Sequence, residues 1–264
     1  MNYIINGAVI SNVGKIRENN EDNFYFNNGI FNEEEKMNEP FLDEFSNEEN
    51  KIFAVFDGMG GEANGERASY LGAKTLKEMD HKIEFDWDDY VEKANDKICI
   101  EMTNHKRMGS TMAGVQFLKE KIIISNLGDS KIYILSSNSF GQVSMDHVEK
   151  IYTTKKPRLT QYFGIKKEEM IIQPFQKEYH YENVEKILVC SDGLSDMVKS
   201  SEIEEILEKE ITTKECVEEL LKKALNNGGE DNITIMLFSI NKKEEDNKKT
   251  LKEKISDIWN ILKS

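Results

Sequence analysis

The chain has only three cysteines, Cys99, Cys190 and Cys216, among its 264 residues. An odd count without a CxxC pair provides neither a disulfide framework nor the ligand spacing of a zinc site. None of the three has an arginine six positions later, so the loop of cysteine-dependent phosphatases is absent. This scarcity is typical of a reducing compartment, and we expect a cytoplasmic protein.

Long hydrophobic runs and prolines are also scarce. The longest apolar stretch, residues 233–240, is far shorter than the roughly 20 residues that a membrane helix needs. The first residues contain neither a basic region nor a sustained apolar region, so we expect no signal peptide. Three prolines leave no obvious linker, and we predict one main domain, residues 1–240, followed by a tail, residues 241–264.

Positive charge is in deficit, with 35 lysines and arginines against 49 aspartates and glutamates and a net charge of −14. Binding to nucleic acid depends on neutralising phosphates with basic side chains, so we expect no nucleic-acid partner. We also expect no membrane partner and a monomeric protein. The sequence contains no GxxxxGK[ST], and Gly58-Met59-Gly60-Gly61 has no P-loop lysine, which argues against a nucleotide-binding fold.

Short apolar runs bounded by turn residues predict seven strands, near residues 24–26, 52–56, 111–117, 121–126, 131–135, 186–190 and 233–239. Helical spacing predicts four helices, over residues 66–79, around 91–102, 201–209 and 213–225. Gly228-Gly229 is a stop signal for the last of these helices. Leu127-Gly128-Asp129-Ser130 resembles a hairpin turn between two of the strands.

Two segments look peripheral. Residues 27–50 are rich in asparagine and glutamate and predict a solvated loop. In the tail, Thr250 and Glu253 form a plausible capping box. An apolar stripe at helical spacing follows it, formed by Leu251, Ile255, Ile258, Trp259 and Leu262. A terminal helix docked on its own domain is the favoured interpretation, and a contact with a partner or a second copy is the alternative.

Four short acidic segments each lie beside glycine or asparagine at the end of an apolar run. They are residues 20–23 (NEDN), 53–61 (FAVFDGMGG), 188–193 (LVCSDG) and 229–235 (GEDNITI). A carboxylate at the end of a buried strand is costly to desolvate unless positive charge compensates for it. Several of them converging at neighbouring strand ends would form an oxygen-rich site suited to Mg²⁺ or Mn²⁺.

Two divalent ions about 4 Å apart can activate a shared water for attack on phosphorus. Asp57 is the best candidate for a ligand that bridges both ions, because glycines flank it and allow the Gly58 carbonyl to approach. Asp192 and Asp231 would bind one ion. Glu21 and Asp22 would serve the other, directly or through its waters, and Arg17 could bind the phosphate oxygens. Each acidic segment by itself is more simply a turn, and Arg17 by itself a surface ion pair; the interpretation depends on the whole set.

In this order and spacing, the segments resemble the metal-dependent serine/threonine protein phosphatases of type 2C, in their bacterial form. The matching motifs cover nearly all of residues 1–240 and leave the tail outside. They include residues 14–17 (GKIR), 20–22 (NED), 57–61 (DGMGG), 109–111 (GST), 128–130 (GDS), 146–147 (DH), 157–160 (PRLT), 191–194 (SDGL) and 231–234 (DNIT).

The resemblance implies an α+β fold, a four-layer α-β-β-α sandwich of two antiparallel sheets with a binuclear metal cleft at one edge. It implies two Mn²⁺ or Mg²⁺ ions held by Asp57, the Gly58 carbonyl, Asp192 and Asp231, with contributions from Glu21 and Asp22. Asp129 matches the position that helps to hold a weaker third ion, and Arg17 the phosphate-binding arginine. The implied reaction is hydrolysis of phosphoserine or phosphothreonine in proteins without a phosphoenzyme intermediate, opposing a serine/threonine kinase.

The sequence departs from the family at two places. Met59 and Glu62 stand where family members have histidines, so the general acid is not identified, and a metal-bound water is one alternative. Only residues 148–156 separate the Asp146-His147 and Pro157-Arg158 motifs, which predicts a shortened flap beside the cleft. A non-catalytic, phosphoprotein-binding protein on the same fold therefore stays open as the alternative function, as does a phosphorylated sigma-factor regulator as the substrate.

Overall fold

The computed structural model describes residues 1–31, 37–60, 64–80, 85–102, 107–149 and 157–243. These residues form fourteen strands, five α-helices and a short 3-10 helix at Tyr181–Asn183. The strands are β1 (Tyr3–Asn12), β2 (Asn23–Phe26), β3 (Gly29–Ile30), β4 (Phe41–Ser46), β5 (Lys51–Phe56), β6 (Gly58–Met59), β7 (Gly109–Ser110), β8 (Met112–Phe117), β9 (Ile122–Leu127), β10 (Lys131–Ser136), β11 (Ser139–Gln142), β12 (Phe175–Tyr179), β13 (Lys186–Cys190) and β14 (Ile233–Lys242). The helices are α1 (Gly65–Met79), α2 (Trp87–Glu101), α3 (Asp192–Ser195), α4 (Ser200–Leu207) and α5 (Thr213–Asn226).

Twelve of the strands form two antiparallel sheets of six strands each. Sheet A has the order β11-β10-β13-β14-β1-β4, and sheet B has the order β12-β9-β8-β5-β2-β3. The remaining two strands, β6 and β7, pair with each other, with Gly58 opposite Ser110. The longest pairing joins β1 and β14 over ten residues, from Tyr3 opposite Lys242 to Asn12 opposite Ile233.

Three apolar clusters define four layers. The cluster between the sheets contains many aromatic rings, and the Phe53 and Phe238 centroids are 4.7 Å apart. A second cluster lies between sheet A and helices α4 and α5, and a third between sheet B and helices α1 and α2. Because each sheet buries both faces, central strands such as β5 and β13 consist of nearly continuous apolar runs. The predicted four-layer α-β-β-α sandwich is confirmed.

The four helices predicted from apolar spacing are present, and their apolar stripes are buried. In α5 the buried stripe contains Val217, Leu220, Leu221 and Ala224. The helix begins with a capping box, in which the Glu215 amide donates to Thr212 Oγ1 at 3.2 Å and the Thr212 amide to Glu215 Oε2 at 2.8 Å. It ends at the glycine pair, where Gly229 has φ +58° and donates its amide to Ala224 O.

The predicted hairpin turn at residues 127–130 is wrong. Strand β9 pairs with β8 and β12 in sheet B, whereas β10 pairs with β11 and β13 in sheet A. Gly128 has φ +102°, and a Cβ there would lie 2.7 Å from the Thr111 side chain. Residues 128–130 therefore transfer the chain from one sheet to the other, and local turn chemistry does not distinguish that from a hairpin.

The prediction of a solvated loop over residues 27–50 is also wrong in part. Strand β3 extends sheet B, and β4 forms the edge of sheet A beside β1, with Phe45 opposite Ile5. The acidic composition hid this strand because one side of an edge strand faces water and tolerates charge. Residues 32–36 lie outside the described residues.

Strand β1 was missing from the sequence prediction, although it is ten residues long. Asn6 and Gly7 in its middle are typical of a turn. In the structure, a Cβ on Gly7 would lie 3.0 Å from the Phe238 ring, so the glycine allows the ring to pack against the backbone.

Strand β14 extends two residues beyond the predicted domain boundary, to Lys242. The predicted tail helix lies outside the described residues, which end at residue 243. None of the helices in the described part of the chain has both the length and the apolar character needed to cross a membrane.

Candidate metal centre

A cavity of about 350 Å³ lies where the two sheets meet at one edge. Five carboxylates and one guanidinium line it, from Arg17, Glu21, Asp57, Asp129, Asp192 and Asp231. Gly58 lines it as well, together with an apolar rim of Met59, Pro157 and Leu159. Seven of the eight residues predicted for the site therefore share one cavity; the eighth, Asp22, does not line it.

Sheet A places two of these carboxylates. Asp192 lies two residues after β13 and begins α3, whereas Asp231 lies two residues before β14. The two strands are neighbours, with Cys190 opposite Ile235, so the carboxylates reach the same end of the sheet. Gly193 allows this close approach, because a Cβ there would lie 1.9 Å from the Asn232 carbonyl oxygen.

Sheet B places Asp57, which follows β5. Its amide donates to Thr111 Oγ1 at 3.1 Å, and its carbonyl accepts from the Thr111 amide at 2.9 Å. The next residue, Gly58, has no room for a side chain, because a Cβ would lie 2.2 Å from the Gly65 carbonyl oxygen and 2.4 Å from that of Glu21. The glycine requirement expected from the sequence thus has a steric cause in this backbone crossing.

Arg17 and Glu21 belong to the loop between β1 and β2, and Asn232 holds that loop in place. The Asn232 Oδ1 accepts from the Glu21 amide at 2.7 Å. Its Nδ2 donates to the carbonyls of Val13 and Asn19 at 3.0 and 2.9 Å. Arg17 itself donates to Asp231 Oδ2 at 2.8 Å. Asn232 therefore fixes the loop beside the residue with which Arg17 pairs.

Asp22 lies behind the cavity, only 1% exposed. Its Oδ2 accepts from Ser191 Oγ and from Thr234 Oγ1, each at 2.7 Å. Ser11 Oγ lies 2.8 Å from Thr234 Oγ1 and accepts from Asn20 Nδ2 at 2.9 Å. We call this set, Ser11, Asn20, Asp22, Ser191 and Thr234, the buried frame. It links β1, β13 and β14 to the start of β2, so the position of Asp22 favours contact with an ion through water rather than directly.

The cavity concentrates negative charge, and this shifts pKa values upward. Burial, followed by repulsion from Asp192, Asp22, Asp129 and Asp231, raises the pKa of Asp57 well above its usual range. Burial raises the pKa of Asp22 to about 7, although the two hydroxyl donors oppose the shift. Burial also raises the pKa of Glu21, and Arg17 partly offsets that effect. Closely spaced carboxylates that resist ionisation are stabilised when a cation binds among them.

Asp129 reaches the cavity from the crossing between the sheets. The preceding Gly128 donates its amide to His147 Nδ1 at 3.1 Å and accepts from the His147 amide at 2.9 Å. His147 is buried, which lowers its pKa, so a neutral ring accepting at Nδ1 fits this position. His147 thus holds the crossing loop and does not line the cavity.

The donor set fits hard divalent cations, since all of the predicted ligands are carboxylate or carbonyl oxygens. Among the described residues, no three histidine, cysteine or acidic side chains are arranged as a finished coordination shell. One reason is visible at Asp231, whose Oδ2 is engaged by Arg17. The fold therefore brings the predicted ligands together in one cavity.

Sequence reasoning assigned no role to Asn232, Ser191, Thr234 or Thr111. Asn232, Ser191 and Thr234 lie within the acidic segments and Thr111 in the 109–111 motif, but hydroxyl and amide residues at such places are equally consistent with ordinary turns. Their roles depend on partners far away in the sequence, such as Ser191 and Asp22, which are 169 positions apart. No pattern within a single sequence reveals such a pairing.

The two departures from the family pattern have different outcomes. Met59 lines the cavity, and within the described ranges no histidine does. Glu62 lies outside the described residues. Where a shortened flap is predicted, Val148 bridges Leu159, and the Glu149 amide donates to Arg158 O at 2.8 Å. The two flanking motifs therefore pair with each other, and residues 150–156 between them lie outside the described residues.

Comparison with known proteins identifies relatives along most of the chain. A Listeria welshimeri protein named serine/threonine phosphatase stp is 29% identical over 257 residues, covering 86% of this chain and 93% of the relative. The protein phosphatase PhpP of Streptococcus pneumoniae is 28% identical, covering 90% of this chain and 98% of the relative.

A similar solved structure is the catalytic domain of the serine/threonine protein phosphatase PstP in complex with two manganese ions. It is 25% identical and covers 91% of this chain and 100% of the PstP chain, with a TM-score of 0.71. The model of the family "Protein phosphatase 2C" matches residues 34–233, which is most of the chain and includes the Asp57, Asp192 and Asp231 positions. This chain belongs to the protein phosphatase 2C family.

Proposed function

We propose that the cavity at the sheet edge is the active site of a metal-dependent serine/threonine protein phosphatase, and that its carboxylates bind the catalytic ions. The observation that supports this best is the convergence of five carboxylates and Arg17, from both sheets, on one cavity of about 350 Å³. Asp57 would serve both ions, Asp192 and Asp231 would hold one of them, and Glu21, the Gly58 carbonyl and, through water, Asp22 would serve the other.

When bound, paired divalent cations lower the pKa of a shared water and stabilise charge on the phosphoryl oxygens. The chain's own contribution is to hold the ligands and the substrate. Arg17 binds phosphate oxygens with its planar fork, for which its exposed position at the cavity mouth is suited. Asp22 orients the metal ligands from behind through the buried frame, as hydrogen-bonded partners of metal ligands commonly do. The leaving alkoxide takes its proton from water, since no described histidine reaches the cavity.

Manganese is the ion we expect to activate best, because the PstP catalytic domain binds two manganese ions. Mg²⁺ is the second choice, since the oxygen-only donor set accepts both. Asp129, which lines the same cavity, would help to hold a weaker third ion.

Phosphorylated proteins are the substrates. We further propose that these proteins are targets of a serine/threonine kinase and that the phosphatase acts as a monomer. A cytoplasmic location remains a prediction from the cysteine count. A non-catalytic binding protein on this fold is the less favoured function, because every proposed ligand position has an oxygen donor.

The direct test is phosphate release from a phosphothreonine peptide with EDTA, Mg²⁺ or Mn²⁺. We expect metal-dependent release that is lost in Asp57→Asn. The matched control is Asp96→Asn on the exposed side of α2, where Asp96 pairs with Lys167. Full activity in Asp57→Asn would refute the assigned bridging ligand. No release by wild type under any metal would favour the binding-protein alternative.

A further inference from the structure

A second and larger cavity lies at the opposite end of sheet A from the metal centre. Its volume is about 1050 Å³, and residues of β1, β4, β10, β13 and β14 line it together with the loop between α4 and α5. We call it the basal groove. Strand β14 runs from Ile233, beside the metal centre, to Asn241 in the basal groove. That separation is roughly 25 Å at the rise of an extended strand.

We propose that the basal groove binds the chain's own C-terminal segment, residues 250–262, as an amphipathic helix. The first support is where the chain leaves the described structure. Asn241 lines the groove, and the last described residue, Lys243, lies two positions further on and donates its amide at 2.8 Å to the carbonyl of Asn2, which lines a smaller cavity. The 21 residues that follow therefore start two positions beyond the groove and need no long linker to reach it, so their local concentration there is high.

The second support is apolar complementarity. Leu42 on edge strand β4 is 57% exposed and lines the groove, although it lies within a folded sheet. Ile211, which is partly buried, lines it as well, whereas the lining residues Leu207 and Ile240 are only 1% and 7% exposed. The tail supplies a matching stripe of apolar residues at helical spacing, from Leu251 to Leu262. Burying such a stripe against the groove would cover the exposed apolar surface of the β4 edge.

The third support is charge. The groove's lysines already have partners within the described structure: Lys214 pairs with Glu39 at 3.3 Å, Lys209 with Glu219, and Lys186 donates to Leu207 O. Among the described residues, four acidic groove residues form no ion pair: Glu44, Glu185, Glu208 and Glu210. The groove therefore presents unpaired negative charge.

The tail's lysines are placed to meet that charge. At helical spacing, Lys252 and Lys254 fall on the two sides of the apolar stripe, whereas Glu253 and Asp257 fall on the opposite face. Lysines flanking a buried stripe can lay their alkyl stems along apolar surface and direct the ammonium groups to nearby carboxylates. The same pattern would not fit a basic groove.

The other cavity near the chain exit fits less well. Its volume is about 290 Å³, and Lys119, His180 and Glu182 are among the residues that line it. It is too small for five large apolar side chains. A second copy of the chain could present the same tail to the basal groove, but the tethered tail has the advantage of local concentration.

The experiment uses ¹⁹F NMR on the full chain labelled with 5-fluorotryptophan. The sequence contains two tryptophans, Trp87 and Trp259, so two resonances are expected. Trp87 is 2% exposed within α2 and reports whether the fold is intact. Trp259 reports on the tail, and a synthetic peptide of residues 244–264 provides the position of its free resonance.

Leu42→Lys in the groove should move the Trp259 resonance to the free-peptide position and leave that of Trp87 unchanged. Glu208→Lys with Glu210→Lys should move it in the same direction. Added salt should move the wild-type resonance that way too, because it screens the attraction between the tail lysines and the groove glutamates. The matched control is Ile100→Lys, because Ile100 is 81% exposed on α2, on the far side of sheet B. The control should leave both resonances at their wild-type positions.

Three outcomes would overturn the proposal. The wild-type Trp259 resonance could coincide with that of the free peptide, which would mean that the tail is undocked. It could stay unchanged in both groove variants, which would place the tail elsewhere. It could also move towards the free position on dilution, which would assign the groove to a second copy of the chain, since intramolecular docking does not depend on concentration.

Discussion

The buried frame and the cavity-facing carboxylates are neighbours along the chain, since Asp22 follows Glu21 and Ser191 precedes Asp192, but they differ in how their charge is satisfied. In the buried frame, hydroxyl donors at 2.7 Å meet the one carboxylate, Asp22. In the cavity, Asp57 is surrounded by other carboxylates, and the described cation that lines the same space is Arg17. The protein itself thus supplies hydrogen-bond donors to the carboxylate of the frame, whereas the negative charge of the cavity is neutralised when cations bind.

This difference separates residues that build the site from residues that act in it. Removing a buried, hydrogen-bonded group leaves its partners unsatisfied and affects stability. Removing a carboxylate from a crowded anionic cavity relieves repulsion and affects the chemistry instead. The predictions below test that separation.

The largest effect is expected for Asp192→Asn, a cavity residue. Loss of a metal ligand removes several kcal/mol of charge stabilisation in the transition state, which corresponds to at least about 10³-fold in kcat. Thermal unfolding in EDTA should occur at the same temperature or higher, because one of the mutually repelling charges is gone. Phosphate release and circular dichroism melting check both parts. Activity within about tenfold of wild type would move Asp192 out of the ligand set.

The next effect concerns the pH dependence of stability in the metal-free protein. The folded-state pKa of Asp22 is about 7, and its value in the unfolded chain is near 4. Between these values the folded state binds more protons than the unfolded state, so stability decreases as the pH rises from about 4 to 7. The change is on the order of 3 kcal/mol, which corresponds to a fall of roughly 6–12 °C in Tm.

The comparison that isolates Asp22 is Asp22→Asn, measured in EDTA at pH 5 and pH 8. The amide does not titrate, so the stability of the variant should fall much less between the two pH values, whereas that of the exposed control Asp96→Asn should fall as in wild type. Saturating Mn²⁺ should abolish the fall in stability of the wild type, because bound cations favour the ionised carboxylates. Equal slopes in Asp22→Asn and wild type would assign the pH dependence to other groups, of which Asp57 is the first candidate.

A smaller effect is expected for Asn232→Ala, which tests whether the loop carrying Arg17 and Glu21 is held from behind. The variant loses three hydrogen bonds, with a stability cost of about 2 kcal/mol. Metal affinity should fall about 10- to 100-fold, as for other residues that orient metal ligands. Asn227→Ala is the matched control, because Asn227 is exposed and its side-chain amide donates only to Met197 O. Isothermal titration with Mn²⁺ gives the affinities, and unchanged affinity in Asn232→Ala would assign it to stability alone.

The success of the sequence prediction depended on how local each signal is. The acidic segments contain five of the predicted cavity residues, Glu21, Asp57, Gly58, Asp192 and Asp231, because each segment lies within a few positions of its own strand. Asp129 was predicted from the family resemblance alone. The cores of β5, β13 and β14 were recognisable because a strand buried on both faces is a continuous apolar run. The helices α1 and α5 were recognisable from their spacing.

The features that the sequence did not predict depend on contacts between residues that are far apart in the chain. In the sequence, Gly7 is typical of a turn that would end a strand. The structure explains the glycine by the ring of Phe238, 231 positions later, which packs where a Cβ on residue 7 would lie. Gly128 has the chemistry of a hairpin turn, but the sheets that β9 and β10 join are decided by their pairing with β8 and β13. The buried frame was hidden for the same reason, since Asp22 meets its donors across more than 160 positions.

The smallest effect is expected where the cavity meets solvent, at Arg17. Its guanidinium donates to Asp231 Oδ2 at 2.8 Å, and about half of its side chain is exposed. An exposed ion pair of this kind contributes about 0–1 kcal/mol, so Asp231 can exchange Arg17 for a cation at little cost.

Arg17→Ala should therefore bind Mn²⁺ slightly more tightly, about two- to fivefold, because both a competitor for Asp231 and a positive charge are removed. The same variant should raise KM about tenfold and weaken inhibition by phosphate, since the fork that binds the phosphate oxygens is lost. Arg17→Lys separates the two roles: it keeps the charge, so Mn²⁺ affinity should stay near wild type, but it lacks the bidentate geometry, so KM should remain raised. If Arg17→Ala weakened Mn²⁺ binding, the ion pair with Asp231 would instead be positioning a metal ligand, and the contrast between the frame and the cavity would not extend to the cavity mouth.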